Sequence, residues 1–501
     1  MSYRLEAFSG VGLDEALIKL VIDEQKAGRI PRMEKLWAYF RNSPEPVGQG
    51  RTVNPTLRPA QQRGLPARLT GSLDAALDDR TRYAREIVIE NDIGWRIETM
   101  VDFMFGKPVQ ILSTAQDEPT RRTIERLLDA VWEASGGIGL LQDMALLAHV
   151  YGFVDLIVRI DEPALRSIRN LNDTSGDAIA RVGKAIRIEI VEPTRGIPIV
   201  NPDDYRELDA YVVHYDREIN EVTQAPPRRR SLLGRTGSQR SGPRRRIASV
   251  TEIFGSGLWQ RYHEEELVAE TSSRLLPNVV PVVHIQNLAQ PFRYEGVSEV
   301  EPLIPLQDEL NTRLSDRANR VTMQSFKMYL ARGLDGFDRV PVGPGQIWST
   351  DNPDAAIESF GGDSESPGES VHIDEIREAM DKISGVPPLA GGVIRAKIGN
   401  LSSANALKIT LMGIIAKTAR KRVTYGRGMQ GVHDIILAAL NAAGVLETDE
   451  AERGTRLIWP DPLPAEARDE AAAAKTKLEL GIPSERVLSE LGYAATDPGI
   501  T

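Results

Sequence analysis

Apolar positions along the chain fall into stretches of helical and of strand-like period, and the switches between them outline the elements. Leu13, Leu17, Ile18 and Val21 recur at helical spacing, predicting a helix over 13–27 with Gly28 as its C-cap. Residues 42–73 are rich in Pro, Gly, Gln and Arg and read as an irregular arm. A second helical region over 73–105 ends at Gly106-Lys107-Pro108, where proline disfavours helix in the residue before it. A third covers 119–150, with Ile124, Leu127, Leu128, Val131 and Trp132 on one face. The period then shortens. Runs at 153–160, 186–191, 210–215, 259–263 and 279–285 are β-branched or aromatic and bounded by turn residues. They predict an α+β middle third with a mostly antiparallel sheet.

Helix returns after Val297, where Leu306, Leu310, Leu314, Ala318 and Val321 form a narrow stripe suited to packing against neighbours. Residues 326–370, heavy in Gly, Pro and Asp, predict a small β-rich unit, followed by a helix over 372–384. A Gly- and Pro-rich loop covers 385–399. Ser402 or Ser403 can then cap a long helix to about 443, with Gly426, Gly428 and Gly431 as a kink. Two short helices, 465–480 and 484–491, close the pattern.

Charge changes the picture in one place. The 501 residues carry a formal charge of -10, which argues against a protein that coats nucleic acid. Yet 223–247 holds Arg228, Arg229, Arg230, Arg235, Arg240, Arg244, Arg245 and Arg246 with no acidic residue. Set among Pro, Gly and Ser, these predict a disordered, solvated loop joining two strands. It is either a charged surface loop or a contact for nucleic acid or a partner protein.

Candidate chemistry removes whole classes. With no cysteine there are no disulfides, thiolate metal sites or cysteine nucleophiles. No P-loop, His-Glu-x-x-His or Gly-x-Ser-x-Gly occurs, and the six histidines show no metal-ligand spacing. The expectation is no catalytic residue, no metal and no cofactor. The start of the chain lacks the pattern of a signal peptide, and the apolar stretch 137–160 contains Gln142, Asp143, His149 and Asp155, so no membrane span is expected.

One phrase is more specific. Gly296, Ser298 and Glu299, then Pro305-Leu306-Gln307-Asp308, with Asn311, Ser315 and Asp316 in the helix that follows, resemble the start of the stem in portal proteins of long-tailed bacteriophages. Three other pieces agree in order. Residues 91–109, ending in Gly-Lys-Pro-Val, are similar to that family's wing helix. Ser384–Pro387 with 399–408 is similar to its tunnel loop and the helix after it. Residues 459–464, 481–484 and 491–493 are similar to its carboxyl-terminal region.

The resemblance implies a multi-domain portal fold of α+β class. Its parts would be an α/β wing (1–300, with the arm 42–73 and the Arg-rich loop 223–247), stem helix 1 (301–325), clip (326–371) and stem helix 2 (372–384). A tunnel loop (385–401), a long kinked helix (402–443) and an α-helical crown (444–501) complete it. It implies a homo-oligomeric ring, twelve subunits in the virion, at one capsid vertex. Double-stranded DNA would pass through its channel in packaging and ejection. The implied partners are the packaging ATPase (terminase large subunit), the major capsid and scaffold proteins and a head-completion adaptor. Assembly would take place in the host cytoplasm, with no membrane involved. Arg395 and Lys397, with Gly391 and Gly392 lending mobility, are the tunnel-loop candidates: they either contact phosphates in passing or hold the loop by pairing with acidic neighbours. In stem helix 1 the polar positions, Asn311 and Asp316 among them, should face the channel or the capsid opening, while Leu306, Leu310 and Leu314 pack within and between subunits. The competing readings are another ring-shaped connector or adaptor without enzymatic activity, and an enzyme acting on DNA.

Overall fold

The computed structural model describes residues 3–41, 88–168, 176–221, 244–325, 328–332, 353–354, 356–360, 367–392, 408–463, 467–482, 484 and 487–488. In chain order the elements begin with α1 (Glu15–Glu24), α2 (Ile30–Arg41), α3 (Asp92–Phe105), β1 (Gln110–Ser113), α4 (Glu118–Ser135), α5 (Gly137–Tyr151) and β2 (Phe153–Ile160). Next come α6 (Glu162–Arg166), α7 (Gly176–Ala185), β3 (Ile186–Val191), β4 (Gly196–Val200), β5 (Leu208–Glu221), β6 (Arg244–Gly255), β7 (Leu258–His263), β8 (Glu266–Ser272) and β9 (Val282–Gln286). The last group is α8 (Ile304–Ser325), β10 (Met328–Arg332), β11 (Ala356–Phe360), α9 (Pro367–Ser384), α10 (Met412–Ala442), β12 (Thr455–Ile458) and α11 (Ala467–Glu479).

The class is mixed α+β, and the sheets are small and antiparallel. Strands β3-β2-β9 form one sheet and β4-β5-β6-β7-β8 another, while β1 pairs with β12 and β10 with β11. Strand β2 is buried over its first six residues, which explains a run that is apolar on both faces except for Asp155, whose carboxylate is held by Tyr211, His284 and Tyr294. Val154, Leu156 and Val158 meet α4, α5 and the second half of α10, whereas Ile157 meets Tyr211, Val213 and Phe254 of the five-stranded sheet. A separate core joins α2, α3 and the end of α5 to α8, α9 and the first half of α10.

Four sequence expectations change. Gly28 does not end a helix: the chain passes through a π-helical turn, Gln25–Arg29, straight into α2. Residues 88–91 are not helical; Asn91 caps α3 by accepting from the Gly94 amide at 3.0 Å. The long helix α10 runs through its glycines as one α-helix. Gly428 serves close packing instead, since a Cβ there would lie 2.3 Å from Ile285 Cγ1 on β9. Finally, Arg244, Arg245 and Arg246 are not loop residues. They open β6 opposite Glu221, Asn220 and Ile219 of β5, and the Arg246 side chain pairs with Glu264 at 2.6 Å. Arg228, Arg229 and Arg230 lie outside the described residues, as do 42–73.

Candidate functional site

The phrase at Gly296 is where four elements cross. After β9, the fully buried Asn287 takes three roles: its amide N–H donates to Gly152 O (2.8 Å), its Nδ2 donates to Val297 O (3.1 Å), and its Oδ1 accepts from the Tyr425 hydroxyl (3.2 Å). Gly152, in the left-handed region at φ 95°, caps α5 and lies against Gly296. A Cβ on Gly152 would stand 2.4 Å from Gly296 O, and one on Gly296 would stand 2.5 Å from Gly152 O. Ser298 then donates to Val150 O (2.6 Å) and accepts from the Val300 and Glu301 amides, starting the turn that leads into α8. Gly152→Ala combines backbone strain, worth more than about 1 kcal/mol, with a clash against backbone that cannot rotate away. A fall in melting temperature of several degrees, read by differential scanning calorimetry, is the expected result; an unchanged midpoint would refute the close approach.

Glu299 is the electrostatic centre of the crossing. Its side chain is 4% exposed and lies 2.5 Å from Lys417 Nζ and 2.7 Å from Lys421 Nζ, both on α10. Lys417 also donates to Ser384 O, at the end of α9 (2.7 Å). The Lys421 contact is ionic rather than a well-aligned hydrogen bond, for Glu299 Oε1 has no hydrogen-bond partner and Lys421 donates to Met100 Sδ. Burial pushes the carboxyl up, but Lys421 and Lys417 together outweigh it and hold Glu299 down at about 2. For Lys421 burial wins and lowers it to about 8, against the pull of Glu299. The two shifts agree once the charges are counted: two cations share one carboxylate. Next to them His149 is buried and held neutral, lowered to about 3 by burial and then by Lys421.

A second buried cation ties α3 to α9. Arg96, with no exposed surface, pairs with Asp92 (2.9 Å) and Asp381 (2.6 Å) and donates to Ser384 Oγ (3.1 Å) and Val386 O (2.7 Å). Its guanidinium also stacks on Trp95.

Placement of the expected residues is mixed. Leu310 and Leu314 are buried and Leu306 half-buried, in the core shared with Ile373, Ile376 and Met380 of α9. Gln307, Asn311 and Ser315 do not face outward as expected. All three are buried against the extended segment 88–90, Asn311 accepting from the Glu90 amide (3.1 Å) and Ser315 from the Val88 amide (3.0 Å). Among the described residues no strand pairs with that segment, and these helix side chains bond the amide and carbonyl of Val88 and of Glu90. Asp316 is half-exposed beside Arg313. Gly391 ends a short 3-10 turn, Pro388–Gly391, where a Cβ would strike the Trp95 indole; Gly392, at φ 76°, is its left-handed cap. Arg395 and Lys397 lie outside the described residues. Among the described residues no His, Asp or Glu cluster is fit to hold a metal, and no helix is long and apolar enough to cross a membrane.

Sequence reasoning did not find Arg96, Lys417 or Lys421. One signal was available: Ile414, Thr418, Lys421 and Tyr425 follow each other on one buried stripe of α10. A lysine in such a stripe demands a buried partner.

Comparison with known proteins adds three findings. The family model described as "Phage portal protein, SPP1 Gp6-like" matches residues 21–494. A solved structure described as "Neck of empty GTA particle computed with C6 symmetry" is similar at 14% identity. The match covers 81% of this chain and 92% of that chain, with a TM-score of 0.42. No curated protein matches the chain.

Proposed function

The chain belongs to the SPP1 Gp6-like family of phage portal proteins, structural head-tail connectors of the virion without enzymatic activity, and from that premise we propose that it is the subunit of a ring at one capsid vertex. The ring encloses the channel through which double-stranded DNA is packaged and later ejected. Its virion form has twelve subunits. It docks the packaging ATPase during filling and a head-completion protein afterwards.

The observation that best supports this reading is the order of elements after the Gly296 crossing. Helix α8 leaves it, the β10–β11 pair follows, and α9 packs back on α8 with Arg320 paired to Glu369. The chain then reaches the turn at Pro388–Gly391 and, beyond it, α10. In this assignment α8 and α9 are the stem, the β10–β11 region is the clip, and the elements before α8 are the wing. The segment from 385 is the tunnel loop, α10 the long helix and the remainder the crown. Arg395 and Lys397, repeated around the ring, touch phosphates in passing. Few such contacts are needed, because each neutralised phosphate adds affinity that would slow DNA movement.

Electron microscopy of the purified full chain tests the reading directly. Rings with a central channel are expected. Compact monomers with nuclease or ATPase activity would overturn it.

A further inference from the structure

We propose that the outer face of the helical stretch from Lys408 to Arg427 docks on the acidic outer face of α9 in a second copy of this chain. The inference rests on the ring reading above and names the surfaces that close the ring.

The first surface is apolar where solvent should favour polar groups. Ile409 is 70% exposed, just before the turn at Leu411, and on α10 Met412 is 63% and Val423 54% exposed; with the exposed Ala416 they follow one another at spacings of three, four and seven residues, which on a helix share one side. A contiguous exposed apolar strip of this kind marks an interaction surface. Its charges have one sign. Lys408, Arg420 and Arg427 are exposed along it, and no Asp or Glu occurs anywhere from 408 to 427. The inner side of the same helix is already used by Ile414, Lys421 and Tyr425.

The second surface complements it. Helix α9 buries Ile373, Ile376 and Met380 against α8 and turns Asp374, Glu375 and Glu378 outward, with Val371 56% exposed beside them and the exposed Lys382 one turn beyond Glu378, so that this face carries three acidic groups and one cation. A basic apolar strip and an acidic one with an apolar end are thus carried by different elements of one chain. Two unlike faces on each subunit are what a head-to-tail ring requires, since only an isologous dimer can use one patch twice. Opposite charges would steer the approach and set the register. DNA is a poorer occupant for the basic strip, because phosphates would leave Ile409, Met412 and Val423 exposed to water.

The absence of native cysteine allows a clean test. Full-length protein carrying both Ala416→Cys and Glu375→Cys is treated with a flexible bis-maleimide and run on a denaturing gel. A ladder of covalent multimers is expected from the double variant, and monomer from each single variant. Rings visible by microscopy without a ladder would overturn the docking while leaving the portal reading intact. Covalent dimers from a single variant would also overturn it, and the loss of rings and ladder together in protein of native sequence otherwise would overturn both. A charge exchange supplies the second measurement. Arg420→Glu with Arg427→Glu should lower the ring fraction at least tenfold by mass photometry, as should Glu375→Lys with Glu378→Lys. All four together should restore it. Intact rings with the first pair, accompanied by loss of DNA from filled heads, would assign the strip to DNA and sink the proposal.

Discussion

Glu299→Ala is expected to lower folding stability by about 3–5 kcal/mol, because it strands two buried lysines without their carboxylate. Against a total of about 5–15 kcal/mol for a typical domain, that loss brings the fold near its limit. The asymmetry of the cluster gives the control. Lys421→Met removes a buried charge and leaves the Lys417–Glu299 pair in place, so its loss should be much smaller. Urea midpoints at neutral pH measure both. Equal losses would mean that Glu299 contributes packing rather than charge, and a loss for Glu299→Ala below about 1 kcal/mol, the range of an exposed pair, would refute the cluster altogether.

The same cluster sets a pH dependence whose sign follows from the directions of the shifts. Glu299 is depressed to about 2 from an ordinary carboxyl value, so in that interval the unfolded chain binds more protons than the folded one. Its contribution is fully present above the unfolded carboxyl range and is lost as pH falls toward about 2. Lys421 is also depressed, by burial, so the folded chain releases that proton first. Its charging penalty is relieved as pH rises above about 8, and stability from this group increases there. Glu299→Gln should flatten the acid limb of the curve and leave other carboxylates to account for what remains.

How much of this was legible beforehand depended on whether the signal was local. Strand β2 could be read to the residue because a strand buried on both faces needs apolar residues on both, and only Asp155 and Arg159 interrupt them here. Strands β1 and β12 could not: each is four residues long, and its partner is more than 300 positions away. Strand β8 alternates half-buried and exposed residues on a sheet edge, too weak a pattern to register. Gly28 reads as a stop by its chemistry, and only the π-helical turn explains why the helix continues. Of the crossing, Gly296, Ser298 and Glu299 were visible as residues of a phrase, but their partners were not. Lys417 stands 118 positions beyond Glu299, and nothing in either neighbourhood names the other. The polar positions of α8 misled for a physical reason: Gln307, Asn311 and Ser315 look solvent-facing by type, yet they supply donors and acceptors to the backbone of Val88 and Glu90.

Arg96→Ala is the second large effect, again about 3–5 kcal/mol, because it takes a fully buried charged donor from two carboxylates and a buried carbonyl at once. Asp92, itself 5% exposed, and Val386 O would be the most affected. Arg96→Lys should recover little. A single ammonium cannot reproduce a planar fork that reaches Asp92, Asp381 and Val386 at once. Removing charge on both sides, with Arg96→Met and Asp92→Asn together, should cost less than Arg96→Ala alone, and that double-mutant comparison separates ion pairing from lost packing. The location of the loss carries as much information as its size. Arg96 holds the end of α9 where the chain turns into Pro388–Gly391, so the variant should be cleaved near 385–392 at protease concentrations that spare the native chain. That cleavage should precede global unfolding in urea. If the two coincide, Arg96 supports the whole core; if neither changes, the buried network is not what fastens α3 to α9.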